Sequence, residues 1–447
     1  MNFPVKSWKE RLFYTSRPAD DRSRLRAVLD SLILHLHPTR VPASAIRFTY
    51  TWGLGGIAAV LSVLLGLTGV MLMFRYEPTV DRAYSSIQVL EAEVVFGSLI
   101  RSVHHWSALA LVVVACLHLV RVFLTGGFKK GRFVNWLIGI GLLLLTLVFN
   151  FTGYLLPWDQ LAYWAMTVST TMIGYVPWIG ETVKHLVLAG PEVGQGTLSN
   201  FYALHVALLP AVGAVALGYH FWRVRKDGGI SQPERKQGQR AERVTTIPHL
   251  LRKEIAVTAV VITSIMIWGM LIPAPLGEFA NPNHPPSPAK AAWYFVGLQE
   301  LLLHMDPLAF IVLVCVVLAG MVLLPRLDRH DENIGVYFRS SVGRRAALMG
   351  GLVSLYIVPI LVVADEFLIN LPAMLPQWPV IISNGLIPFL FVLAGLAAIY
   401  CVARWVLKAN HSEALVGVFA CVMVGLVVLT IIGNFFRGPS MALCLPF

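Results

Sequence analysis

Four histidines sit inside apolar stretches as two pairs, His104 with His118 and His205 with His220. An imidazole surrounded by lipid is costly unless it is paired, wetted or bound to something. Separations of 14 and 15 residues, at about 1.5 Å of rise each, put the two histidines of a pair about 21–22 Å apart along a helix and on nearly one face. Two such helices lying antiparallel would stack two bis-histidine sites, one toward each surface of a bilayer. Imidazoles on both sides of a haem iron fill both axial positions, which leaves electron transfer and no open site for oxygen. The spacing therefore predicts two haems and an electron path across a membrane.

The elements that must hold these residues are membrane helices. Only 13% of the 447 residues are charged and 57% are hydrophobic, and the mean hydropathy is +0.70, far from an ordinary soluble domain. Nine apolar runs are long enough to span: 49–74, 103–125, 134–156, 199–222, 255–273, 307–325, 345–364, 384–406 and 414–436. The fold class expected is an all-α polytopic membrane protein, a four-helix dihaem bundle followed by about five further spans. The expected organisation is an N-terminal segment 1–48 with a surface amphipathic helix over 22–36, the bundle 49–224, a basic linker 225–254, a second part 255–330, and additional helices 331–447. No cleavable signal is read in the charged opening MNFPVKSWKERLFY.

Loop charge gives an orientation. Residues 223–254 carry nine Lys/Arg against four Asp/Glu, whereas the third-to-fourth connection has Asp159, Glu181 and Glu192 against Lys184 alone. Basic loops stay inside, so a cytoplasmic N-terminus in a bacterial inner membrane is expected. His104 and His205 then lie toward the outside, His118 and His220 toward the inside. The net charge of +11 is accounted for by this retention, and nucleic-acid binding is not needed. The five cysteines, at 116, 315, 401, 421 and 444, form no CxxC or CxxCH. Covalent c-type haem and a cysteine-ligated iron–sulfur cluster are disfavoured, so the haems expected are non-covalent and b-type.

The stretches RSVHHWSALALVVVACLHLVRVFLTGGFKK, NFTGYLLPWDQLAYWA and TLSNFYALH with GYHFWRVRKDGGIS resemble the cytochrome b of quinol–cytochrome c and quinol–plastocyanin oxidoreductases. The 15-residue histidine spacing, GGFKK and PWDQ resemble the chloroplast-type bf branch. The likeness is strong over roughly residues 45–230, weaker over 245–330, and limited to helical pattern beyond. Unlike the split bf-type protein, this chain carries both parts on one polypeptide. The resemblance implies a quinol oxidase subunit that gives one electron to a separate Rieske iron–sulfur protein and the other to the outer haem. It further implies an inner quinone site, a separate c-type cytochrome, proton translocation and a homodimer.

Gly55 and Gly69, and Gly139 and Gly153, repeat the 14-residue separation of the first histidine pair. A glycine beside each haem would leave the macrocycle room that a Cβ would fill; ordinary close packing of membrane helices is the alternative. Arg101 and Arg121 each lie three residues from a ligand and suit buried propionates, or else snorkel. His105 points about 100° away from His104 and is read as an interfacial polar residue. The remaining histidines are read as ordinary loop residues, with His249 and His304 as minor candidates for proton carriage.

By resemblance, the quinol pocket draws on Gly153, Tyr154, Leu155, Pro157, Trp158, Tyr163 and Trp164 with Trp293, Tyr294 and Phe295. Their aromatic rings suit a quinone face, or an interfacial belt. Here the chain departs from the family: the usual Pro-Glu-Trp-Tyr reads Ala291-Ala292-Trp293-Tyr294, and the proton-accepting glutamate is missing. Glu300, two turns beyond Trp293, is the expected substitute, as a carboxyl with a pKa raised by an apolar pocket; a capping or interfacial carboxylate is the alternative. A second departure is on the inner side: the bf branch has a haem-anchoring cysteine just before a Leu-Gly-Gly, where this chain reads Trp52-Gly53-Leu54-Gly55-Gly56, so no thioether can form there. The inner quinone candidates are Arg225, Lys226, Lys253 and Glu254, which topology alone would also explain. The rival function is a dihaem anchor that wires a peripheral dehydrogenase to the quinone pool with no Rieske partner.

Overall fold

The computed structural model describes residues 20–24, 38–233, 242–329 and 333–445. Most of the surface helix expected over 22–36 and part of the basic linker lie outside the described residues. Among the described residues the regular structure is helical apart from one short antiparallel ribbon, β1 (Arg40–Pro42) against β2 (Arg243–Thr245). Nine helices among the described residues are long and apolar enough to cross a membrane. With no water in the hydrocarbon to satisfy N–H and C=O groups, a helix is the one conformation such single segments can adopt.

The first four spans are α1 (Leu54–Met73), α3 (Gly97–Leu124), α4 (Phe133–Leu155) and α7 (Gln195–Lys226). Helix α3 packs on α1 and α4, and α4 packs on α7, which closes the bundle. Between α1 and α3 lies α2 (Ala83–Glu93), whose Ala83, Ser86, Ile87 and Leu90 make one buried stripe at helical spacing. Between α4 and α7 a hairpin of α5 (Gln160–Gly174) and α6 (Gly180–Leu188) caps the His104/His205 end. Asp159 starts α5, accepting from Ala162 N at 2.9 Å.

The fifth span, α8 (Thr246–Leu271), leans on α3 and α1. A short helix α9 (Trp293–Leu303) precedes α10 (Pro307–Leu327), α11 (Ser341–Phe367), α12 (Ile381–Trp405) and α13 (His411–Phe435). The α11–α13 pair is the most closely packed. A Cβ on Gly350 would collide with the carbonyl of Gly417, so the two backbones touch there. Helix α9 packs on α13, and Trp136 Nε1 on α4 donates to Met321 O on α10 at 2.7 Å, tying this second half to the bundle.

Candidate functional site

Helices α3 and α7 bring their histidines together as the spacing requires. The rings of His104 and His205 face each other with centroids 6.3 Å apart. A metal–imidazole bond of about 2 Å on each side, plus the two ring radii, accounts for a gap of this size. All four histidines line one continuous cavity of about 2310 Å³ running through the bundle. The 15-residue separation on α7 has its own local solution. Residues Leu204–Leu208, including His205, form a π-helical turn. Such a turn absorbs one extra residue, so α7 presents its pair in the phase that α3 reaches with 14.

Each of the four glycines lies against one histidine ring rather than at an arbitrary helix contact. A Cβ on Gly69 would stand 3.3 Å from His104 Cε1, on Gly153 2.6 Å from His205 Cε1, on Gly55 3.6 Å from His118 Cε1 and on Gly139 3.8 Å from His220 Cε1. At Gly153 a side chain would force the ring to move. At the other three a methyl would fill space beside the ring. Behind the first pair stand two residues that the sequence reading missed. Thr68 Oγ1 is 2.9 Å from His104 Nδ1 and Thr152 Oγ1 is 3.0 Å from His205 Nδ1. The signal available was the Thr-Gly dipeptide, which occurs at both 68–69 and 152–153.

The arginines separate. Arg101, expected beside a propionate, lines the cavity with a guanidinium that already has protein partners: Nη1 donates to Ala274 O at 2.9 Å and pairs with Glu91, and Nη2 donates to Pro275 O at 2.5 Å. Its guanidinium locks α3 to the segment after α8. Arg121 is 8% exposed and lies over the Tyr50 ring at 4.9 Å. Its Nε and Nη2 are buried without a hydrogen-bond partner among the described residues. A buried cation with two uncommitted donors, opening on the cavity, fits a carboxylate-bearing group. Paired rings, glycines abutting them and this cation together fit a haem at each histidine pair.

The quinol-pocket residues divide as well. Tyr154, Pro157, Trp293 and Tyr294 line the large cavity. Trp164 and Phe295 instead line a neighbouring apolar chamber of about 210 Å³, and Leu161, Lys290 and Ala291 border both. Burial, with the neighbouring Tyr154 hydroxyl, pushes the Tyr294 phenol up. Trp158, Tyr163 and Leu155 are corrections: they sit in the packed core with Met166, Leu198 and Phe201 and line neither space. The wall they would have supplied comes from α5 residues such as Ala165 and Val168. Gln299, not foreseen, holds the altered motif in place. Its Oε1 accepts from Ala291 N at 2.7 Å and its Nε2 donates to Ala289 O at 2.8 Å.

Glu300 is the larger correction. It is fully buried but lines neither cavity. It faces the end of α13, just beyond which Arg437 Nε and Nη2 donate to its oxygens at 2.7–3.1 Å. His304 Nε2 approaches it at 3.3 Å and bonds Asp365 through Nδ1 at 2.7 Å. Burial alone would raise the Glu300 carboxyl, but the hydrogen bonds from His304 and Arg437 and the Arg437 charge outweigh it and hold the group below its usual range. The expected raised pKa fails because the environment is an ion pair, not an apolar wall.

At the His118/His220 end, Arg225, Lys253 and Glu254 line the cavity and Lys226 does not; it covers the Trp222 ring at 4.7 Å. Lys253 Nζ donates to Ile46 O at 2.6 Å. Buried polar atoms without a hydrogen-bond partner among the described residues gather at this end, including Asn135 Oδ1, Asp227 Oδ2 and Ser231 Oγ, all on cavity-lining residues.

Paired histidines within one cavity, among described residues that include nine membrane-length helices, fit a membrane redox protein of the haem-binding class. The Cytochrome b/b6/petB family profile matches residues 40–228. Cytochrome b6 of Porphyra purpurea is 42% identical over 214 residues, 48% of this chain and 96% of that protein. Cytochrome b6 of Synechococcus sp. (strain RCC307) is 46% identical over 218 residues, 49% of this chain and 98% of that one. A solved chain of a hyperthermophilic respiratory Complex III shares the fold, with a TM-score of 0.62 at 22% identity, covering 89% of this chain and 93% of that chain. The chain therefore belongs to the cytochrome b family, in a form longer than the b6 relatives it spans. As such it binds b-type haems, generally two in the family, and serves quinol oxidoreductase electron transfer.

Proposed function

We propose that this chain is the dihaem subunit of a Rieske-type quinol oxidoreductase in a bacterial cytoplasmic membrane, oriented with its N-terminus inside. Quinol is oxidised outside, near His104 and His205. Quinone is reduced inside, near His118 and His220, and the opposed proton release and uptake build a gradient. A Rieske iron–sulfur protein and a c-type cytochrome are its partner subunits, and two copies form the dimer. The observation that carries this reading is that the cavity holding all four histidines also opens on Tyr154, Pro157, Trp293 and Tyr294. A mere electron relay needs no such pocket.

Held by the two histidine pairs, b-type haems would supply one-electron transfer across the membrane. The protein's own residues do the rest. His104 with His205, and His118 with His220, are the ligand pairs, and Gly55, Gly69, Gly139 and Gly153 keep the ring edges clear. Arg121 holds a propionate. Tyr294, whose phenol is kept protonated, donates to and orients the quinol with Tyr154 rather than accepting its proton. Trp164, Phe295 and the α5 wall hold the isoprenoid tail by apolar contact. With Ala292 in place of a carboxylate and Glu300 neutralised by Arg437, the quinol proton leaves to water at the cavity mouth. At the inner end Arg225, Lys253 and Glu254, with Asp227 and Asn135 beside them, receive the quinone.

The experiment is quinol oxidation by the purified complex with and without its Rieske subunit, with haem content measured in parallel. Turnover should collapse when the Rieske subunit is removed while two b-type signals persist. Unchanged turnover would replace this reading with a dihaem anchor serving a peripheral dehydrogenase.

A further inference from the structure

The two histidine pairs are not supported alike. At the His104/His205 pair each ring nitrogen Nδ1 meets a threonine hydroxyl, Thr68 on α1 and Thr152 on α4, at 2.9 and 3.0 Å. Each hydroxyl has one proton and has already directed it along its own helix. Thr68 donates to Leu64 O at 2.8 Å, and Thr152 donates to Val148 O at 2.9 Å. What remains toward the ring is an oxygen lone pair, which can only accept. Both rings are therefore held as the Nδ1–H tautomer, which leaves Nε2 without a proton and free to act as a ligand.

The other pair lacks this second layer. The residues preceding its glycines are Leu54 and Ile138, where the first pair has Thr68 and Thr152. The Nδ1 of His220 is buried without a hydrogen-bond partner among the described residues. An imidazole that donates from its far nitrogen becomes a stronger electron donor at the near one. Stronger donation stabilises the oxidised metal, and hydrogen bonding behind the axial ligands is one of the levers a protein has on haem potential.

We propose that Thr68 and Thr152 are positioning residues that lower the reduction potential of the His104/His205 site relative to the His118/His220 site. This rests on the dihaem reading above.

The test is potentiometry of the two b-type signals in the intact complex, for wild type, Thr68→Val, Thr152→Val, the double variant, and the serine pair Thr68→Ser with Thr152→Ser. The signal belonging to the first site is the one lost in His205→Leu. Its midpoint should move upward in each valine variant and further in the double. The other signal should hold still, and serine should restore the native value. If valine ejects that haem and serine retains it, the hydroxyl is again what secures the ring. The proposal is overturned if both signals remain and neither moves, if both move together, or if serine behaves as valine does. A native complex without two b-type signals would instead sink the dihaem reading, a separate failure.

Discussion

Gly153 is the most constrained residue of the histidine sites, since its Cβ would stand 2.6 Å from His205 Cε1. Gly153→Ala should displace that ring and abolish or broaden one b-type signal while sparing the other, read from low-temperature difference spectra. Gly139→Ala, with 3.8 Å available, should retain both signals. Glu300 makes a contrasting prediction. Its carboxylate and the Arg437 guanidinium are both sealed from solvent, but without Glu300 the guanidinium keeps Glu366 Oε2 at 2.8 Å. Glu300→Ala should therefore cost less than the about 3–5 kcal/mol of a fully stranded buried charge and still lower the melting temperature, without the shift in the pH profile of quinol oxidation that loss of a proton acceptor would cause. The signs for pH follow from the two shifts. Glu300 is depressed, so its contribution is present above the ordinary carboxylate range and lost as pH falls below it. His304 is raised, although burial opposes this, by hydrogen bonds to Glu300 and Asp365. Its contribution is present below the ordinary imidazole range and lost as pH climbs through the raised value. Thermal stability should therefore fall at both extremes in wild type, and the alkaline fall should flatten in His304→Gln. Residue-scale placement is legible where it depends on spacing along one helix, as for the paired histidines and the glycines beside them. It is illegible for Glu300, whose partner lies 137 residues away, and for Arg101, whose acceptors come from the segment after α8.

At the scale of elements, α7 shows how a helix keeps its function with one residue too many. Along an ideal helix 15 residues turn about 100° further than 14, and the π turn at Leu204–Leu208 takes up that excess. Deleting Leu208, which is exposed, should close the turn to a regular helix with His205 and His220 14 apart, and both haems should stay. Deleting the equally apolar, exposed Val215 leaves the π turn in place and rotates the two histidines apart by about 100°. One b-type signal should then be lost in the haem spectrum. Loss of a haem in both deletions, or in neither, would show that the π turn does not set the phase. The sequence predicts all nine spans to within a few residues at most ends, because hydropathy over about 20 residues is a one-dimensional quantity. It does not reveal the π turn, which is a compromise between the helix repeat and the partner histidines on α3. Nor does hydropathy distinguish Trp158 and Tyr163, which close the core, from Trp164, which lines a chamber; all three lie within one aromatic run.

For the whole molecule, the question is how the last four spans are joined to the histidine bundle. A buried cluster of charge does much of it. Lys129, in the loop after α3, places Nζ 2.8 Å from Asp328 Oδ1 at the end of α10 and 2.8 Å from Ser412 Oγ at the start of α13. Ser412 in turn donates to Asp328 Oδ2 at 2.8 Å. Arg339 donates from Nη1 to Leu124 O at 2.7 Å, and its guanidinium lies 5.9 Å over the Phe123 ring and 5.7 Å over that of Phe128. These side chains are almost wholly buried, and they come from both halves of the chain. Replacing both partners of such an ion pair by apolar residues can be nearly neutral, but removing one leaves a buried charge and costs about 3–5 kcal/mol. Asp328→Ala should therefore loosen the second half from the first while leaving the His104/His205 and His118/His220 sites intact. The expected outcome is faster proteolysis in the loops between α10 and α11 and a lower melting temperature, with the b-type spectrum preserved. Lys129→Met combined with Asp328→Leu should recover most of the loss. Spectral loss that accompanies the loosening would mean that the two halves form a single cooperative unit in which the later helices support the haem sites directly.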